Sequence, residues 1–112
     1  MAYNVSAYLL ANVRVTNPEA YAEYSRQVPA TVAAHGGRFL VRGGPGEVVE
    51  GEFSLERLVI IEFPDRDRLG QWYDSAEYQA ILPIRQANGE STVLFLDGYS
   101  ESGPALGRPA DV

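Results

Sequence analysis

Tyr78 and Arg85 stand seven residues apart, so on an uninterrupted helix they share one face. A phenol beside a guanidinium can hold and polarise a carbonyl or enolate oxygen. If Pro83 breaks the helix, the pair separates into a structural hydrogen bond and a surface arginine. Trp72 and Tyr73 precede them, and either fill the core or wall a pocket; a buried phenol at Tyr73 needs a hydrogen-bond partner. Glu62 ends an apolar run on the strand face of Leu58 and Ile60. A carboxylate there is either paired, with Arg14 or Arg42, or unpaired with a raised pKa and available as a general base. His35 falls in the last turn of a helix, where it bonds free carbonyls or serves a pocket as acid and base. Arg38 and Arg42 fall on one strand face about 13 Å apart, too far to grip one carboxylate together. One is expected to face solvent while the other reaches a pocket. Asn12 and Asp97 are polar strand positions of the same kind as Glu62.

Composition narrows the chemistry further. All nine basic residues are Arg, and the chain has no Cys and one His. This excludes a Schiff-base lysine, a phosphate-loop lysine, thiol nucleophiles, disulfides and zinc–thiolate sites. One imidazole cannot supply a two-histidine metal site within the chain, and no metal site is expected. Gly43-Gly44-Pro45-Gly46 reads as a turn, since no Lys and no helix follow it. No serine carries a nucleophile-elbow motif. The net charge of −6, with scattered arginines, argues against nucleic acid as a partner. No apolar run approaches a membrane span, and the first residues lack a signal-peptide pattern, so a cytoplasmic protein without membrane partners is expected.

The 112 residues suit one domain, placed at 1–99, followed by a Gly/Pro-rich tail at 100–112. Alternation over Val5–Val15 predicts a strand. Asn17-Pro18-Glu19 opens a helix with Tyr21, Tyr24, Val28 and Val32 on its inner face; Pro29 kinks it and Gly36-Gly37 stops it. Arg38–Arg42 is a second strand. Residues 47–56 are irregular, with a short extra strand near Val48-Val49. Arg57–Phe63 is a third strand, and Asp65 caps a second helix bearing Leu69, Trp72, Tyr73 and Ala76 on one face. Ser75 caps a further short turn that Pro83 interrupts, and Thr92–Tyr99 is the last strand. The order βαββαβ is the ferredoxin-like α+β arrangement, a four-stranded antiparallel sheet with two helices on one face. The first and third strands are apolar on both faces, so the uncovered sheet face calls for a homodimer packed face to face.

The series Gly36-Gly37-Arg38-Phe39-Leu40-Val41-Arg42-Gly43-Gly44, Ile61-Glu62-Phe63-Pro64, Trp72-Tyr73-Asp74-Ser75-Ala76-Glu77-Tyr78 and Arg85 resembles the domain of unknown function 1330 family over residues 3–99. The resemblance implies a dimeric α/β barrel and favours Arg42 for an anion or carbonyl contact. The alternative for Arg42 is a salt bridge with Glu47, Glu50 or Glu52. The expected function is a cofactor-independent enzyme working by proton transfer on a hydrophobic oxygenated small molecule. That covers isomerisation, cyclisation, dehydration or cofactor-free oxygenation. Glu62 or His35 acts as base, with Tyr73 beside them; Arg42, Trp72, Tyr78, Arg85 and Asn12 hold the ligand. The alternatives are a non-catalytic ligand-binding dimer and a haem-binding member relying on His35.

Overall fold

Strict alternation makes the first strand. The computed structural model of the protein describes residues 5–100, and β1 (Ala7–Val15) sends Ala7, Leu9, Ala11 and Val13 into the core and Tyr8, Leu10 and Asn12 to the opposite face. Helix α1 (Pro18–Ala33) starts where expected. The Asn17 side chain accepts from the Ala20 N–H at 3.3 Å, and Pro18 and Glu19 occupy the first turn. Its inner face buries Tyr21, Tyr24, Val28 and Val32. The chain leaves it through Gly36 at φ +77°, a left-handed conformation that glycine adopts without side-chain strain. Strands β2 (Arg38–Arg42) and β3 (Arg57–Phe63) follow, then α2 (Arg66–Asp74), α3 (Ala76–Asn88) and β4 (Gly89–Asp97).

The sheet order is β2-β3-β1-β4, with every pairing antiparallel. With the helices on one side, this is a ferredoxin-like α+β fold. Four details differ from expectation. The second helical region is two helices meeting at Ser75, whose hydroxyl caps α3 by accepting from the Tyr78 N–H, so the described residues form three helices. Helix α3 runs through Pro83, because Tyr78, Ile81, Leu82 and Arg85 anchor its inner face while Pro83 is exposed. The hydrogen bond that Pro83 cannot make would have gone to Gln79, also exposed, whose carbonyl can turn to water. Strand β4 begins three residues before Thr92, since its register with β1 runs from Val15 opposite Gly89 to Ala7 opposite Asp97. Val48 and Val49 form no strand. Of the expected tail, residues 101–112 lie outside the described part.

The face without helices carries an apolar row, one residue from each strand. Leu94 pairs Leu10, Leu10 pairs Ile60, and Ile60 pairs Val41. Leu94, Leu96 and Leu40 are exposed. The 43–56 connection is tied to this face by Asn12, whose amide donates to the Ser54 carbonyl at 2.8 Å and whose oxygen accepts from the Glu56 N–H at 2.9 Å.

Candidate functional site

Between the sheet and α1, α2 and α3 lies a cleft, and four arginine and tyrosine side chains define its chemistry. Arg85, on the inner face of α3, is only 5% exposed. It is charged at any physiological pH. Burial works against that charge, and the phenol oxygens of Tyr78 and Tyr24 work for it. The continuity of α3 brings Arg85 against Tyr78, one of the two arrangements the spacing allows. The Tyr78 hydroxyl also lies 2.8 Å from that of Tyr24 on α1. Arg57 opens β3 on the core side, where it faces Val13 across the pairing. Its guanidinium lies against the Tyr21 hydroxyl, and its Nε is buried with no hydrogen-bond partner among the described residues.

Arg42 completes the rim. A bulge between Phe39 and Val41 shifts the pairing, so that Arg38 stands opposite Glu62 while Arg42 stands opposite Val59. The two arginines therefore lie on different faces, against the expectation of a shared one, because one extra residue reverses the alternation. Arg42 stacks on Phe39, its Cζ 4.7 Å from the ring centre, and its Nη2 donates to the Ser25 carbonyl at 2.6 Å. That carbonyl is free for a local reason: its helical partner would be the N–H of residue 29, which is proline.

The electrostatics of the cleft follow from this inventory. Arg14, Arg26, Arg38 and Arg66 are ion-paired at the outer surface. Arg42, Arg57 and Arg85 line the cleft, and the described residues around them include no Asp, Glu or His. Burial pushes the Tyr24 phenol far up, with the neighbouring Tyr78 adding to the effect. Tyr21 is also raised by burial, against the opposing pull of Arg57 and Arg85. At neutral pH the phenols are hydroxyl donors rather than bases, so the cleft offers donors and positive charge. The cleft encloses about 460 Å³, its open mouth included, of which about 30 Å³ admits the centre of a water molecule. That is room for about two waters as the walls stand. The exposed Arg42 side chain lies at the cleft mouth.

The other expected site residues lie elsewhere. Glu62 is on the helix-free face. Arg38, not Arg14 or Arg42, pairs with it at 2.7 Å, and the Tyr8 hydroxyl donates to it at 3.2 Å. Arg38 foremost, with Ser6 and Tyr8, holds its carboxyl below the usual range, the opposite of a poised base. His35 lies just past α1, its Nδ1 3.0 Å from the Thr31 carbonyl, away from the cleft lining. Asn12 anchors the 43–56 connection. Tyr73 sits behind the cleft wall, its ring 5.4 Å from those of Tyr78 and Phe95. Trp72 is both core and wall: 1% exposed, its ring 4.1 Å from that of Tyr78, its Nε1 donating to Thr31 Oγ1 at 3.0 Å. Arg42 makes no ion pair with the 47–52 acids among the described residues. Arg57, Tyr21 and Tyr24 were not anticipated as site residues. The signal for Arg57 was present, since it alternates with Val59 and Ile61 and so had to face the core. No group of His, Asp or Glu able to hold a metal occurs among the described residues, and no helix among them is long and apolar enough to cross a membrane.

The family model described as domain of unknown function (DUF1330) matches residues 6–99. No curated protein matches the sequence. Among solved structures, a protein of unknown function from Rhodopseudomonas palustris superposes with a TM-score of 0.72 at 20% identity, covering 88% of this chain and 85% of that one. SnoaB, a cofactor-independent oxygenase from Streptomyces nogalater, gives 0.59 at 11% identity, with 88% and 97% covered. A dimeric ferredoxin-like protein of unknown function from Thermobifida fusca gives 0.50 at 11% identity, with 87% and 94% covered. At these identities the likeness establishes the fold.

Proposed function

This chain belongs to the DUF1330 family, and on that footing we propose that it is a cofactor-independent protein acting on a small, oxygenated, largely apolar molecule. The negative charge of that molecule is held at Arg85 and Tyr78. One observation carries the reading: Arg85 is buried with no carboxylate beside it among the described residues. Burying an unpaired charge costs several kcal/mol, of order, and an anionic ligand offsets that cost. Trp72, Val28, Val59 and Ile61 supply the apolar wall against which the body of the ligand packs. The reactions this arrangement serves pass through an enolate or phenolate, as isomerisation and cofactor-free oxygenation do. Glu62 and His35 lie outside the cleft, so the substrate is one acidic enough to enter as its anion. The oxygenase among the structural neighbours is consistent with that chemistry by analogy of fold alone.

The test begins with native mass spectrometry of the freshly purified protein and release of whatever is bound. It continues with titration of phenols and enolisable carbonyl compounds. Binding that is lost in Arg85→Met, with the fold retained by circular dichroism, supports the reading. Equal binding in the variant sinks it.

A second reading, a non-catalytic binder, is favoured by the lack of any Asp, Glu or His among the described cleft residues. Isotope exchange separates the two. An enzyme exchanges the acidic hydrogen of a bound enolisable ketone for solvent deuterium faster than buffer does, whereas a binder leaves it untouched.

We also propose that the molecule is a homodimer joined through the helix-free face, whose row of Leu94, Leu10, Ile60 and Val41 is otherwise open to water. Sedimentation at micromolar concentration should give a dimer, and Leu10→Glu a monomer. A wild-type monomer rejects the proposal.

A further inference from the structure

The cleft holds two separate guanidinium stations, and the reading above uses only one. Arg85 is the deep station, shared with Tyr78 and Tyr24. Arg57 is the second, at the start of β3 and shared with Tyr21. The Tyr21 phenol feels both guanidinium groups, so it lies within electrostatic reach of each. Three observations make Arg57 more than a rim charge. Its Nε is a buried donor without a partner among the described residues. A charged donor left so costs more than a neutral one. Gly43, at φ +71° with its N–H donating to the Leu58 carbonyl at 2.7 Å, leaves the room that Arg57 occupies. A side chain at residue 43 would collide with the Arg57 Nη1, and its Cβ would stand 2.9 Å from the Arg57 Cζ. The turn that was read as a plain chain reversal therefore also seats a guanidinium over the cleft. Finally, no acid among the described cleft residues neutralises it.

We propose that the ligand carries two oxygen functions on one apolar, flat body. One is a carboxylate bound by Arg57 and the Tyr21 hydroxyl. The other is an enolic or phenolic oxygen bound by Arg85 and Tyr78. The substrate class is thus an aromatic or enolisable hydroxy- or keto-acid rather than a simple phenol or ketone. A planar carboxylate matches the fork of the Arg57 guanidinium and takes up its vacant Nε–H, which a neutral ligand end does less well. This inference rests on the proposed function and adds the second anchor to it.

Three probes of one size test it: phenol, benzoate and 4-hydroxybenzoate, titrated by NMR into the full chain at pH 7 and again at pH 10, where the hydroxyl ionises. The expected order places 4-hydroxybenzoate at least about tenfold tighter than phenol, the effect of about 1.4 kcal/mol. In Arg57→Met that advantage disappears while phenol affinity is unchanged. In Arg85→Met both phenol and 4-hydroxybenzoate weaken. Phenol and 4-hydroxybenzoate binding equally to the wild type overturns the carboxylate anchor and leaves the Arg85 site standing. An advantage that survives Arg57→Met overturns it too. Failure of all three probes to bind the wild type overturns the proposed function and this inference with it. The wild-type comparison needs no variant to fold.

Discussion

The hydroxyls of Tyr24 and Tyr78 lie 2.8 Å apart, one from α1 and one from α3, and form a buried polar contact between two helices that otherwise meet through apolar side chains. The Tyr78 hydroxyl also bonds the Arg85 guanidinium, whereas Tyr24 has Tyr78 as its hydrogen-bond partner. Tyr24→Phe should destabilise the fold by about 1 kcal/mol in urea unfolding, because it removes one of the two hydrogen bonds of the Tyr78 hydroxyl. Tyr78→Phe should cost more, since Arg85 loses its neighbour as well. The double variant should cost less than the sum of the two. Strict additivity would show that the contact contributes nothing.

Arg85→Met should leave the ligand-free protein as stable as the wild type, or raise its stability by about 1 kcal/mol. Replacing a buried charge that has no acidic partner with an apolar side chain of similar length removes a desolvation cost. The same change should abolish binding of anionic probes. A loss of 2 kcal/mol or more would mark Arg85 as a structural residue and not a ligand residue. Thermal unfolding with and without probe reads both quantities.

Pro29→Ala restores the N–H that α1 lacks and lets it reach the Ser25 carbonyl. Proline inside a helix is about 3 kcal/mol less favourable than alanine, and about 1 kcal/mol of that returns through the freer unfolded chain. The variant should gain about 2 kcal/mol. It should also loosen Arg42, which now competes for its acceptor, and weaken binding of a probe at the cleft mouth. Greater stability together with unchanged affinity would remove Arg42 from the ligand's path.

The Glu62 carboxyl, held below its ordinary value of 4.5 by Arg38 foremost and then by Ser6 and Tyr8, makes stability depend on pH. A depressed carboxyl stabilises the fold above its unfolded pKa, and that contribution fades as pH falls through the folded value. Melting temperatures taken from pH 7 down to pH 3 should therefore fall further for the wild type than for Glu62→Gln. Parallel curves would mean that the Arg38 pair has no net effect.

The sheet and α1 were legible because their signals are local: alternation in β1 and β3, the Asn17-Pro18 cap, and the four-residue spacing of Tyr21, Tyr24, Val28 and Val32. The cleft was legible where helical spacing governs it, at Trp72, Tyr78 and Arg85, provided α3 continues past Pro83. Whether it continues is decided by which side of the helix the proline occupies, and that is a tertiary fact. Glu62 was misread for a related reason. Its strand face was identified correctly, but which face the helices cover depends on packing. Arg57 was overlooked because a charged residue at a strand start resembles solvent exposure, even though its alternation with Val59 places it inside. The reversal of Arg42 relative to Arg38 has no sequence signal, since nothing in Arg-Phe-Leu-Val-Arg announces a bulge.

That bulge has a bearing on how the protein can evolve. In a regular strand, residues two or four apart share a face and answer to the same selection. Here a five-residue edge strand serves two masters: its first arginine belongs to the outer surface, its last to the cleft. The outer surface can drift toward new partners by changes at Arg38 and Glu62 while the cleft keeps its charge. Loss of the extra residue at Leu40 would close the bulge with Arg38 still opposite Glu62 and Arg42 still opposite Val59, whereas gaining or losing a residue elsewhere in the strand would turn Arg42 outward.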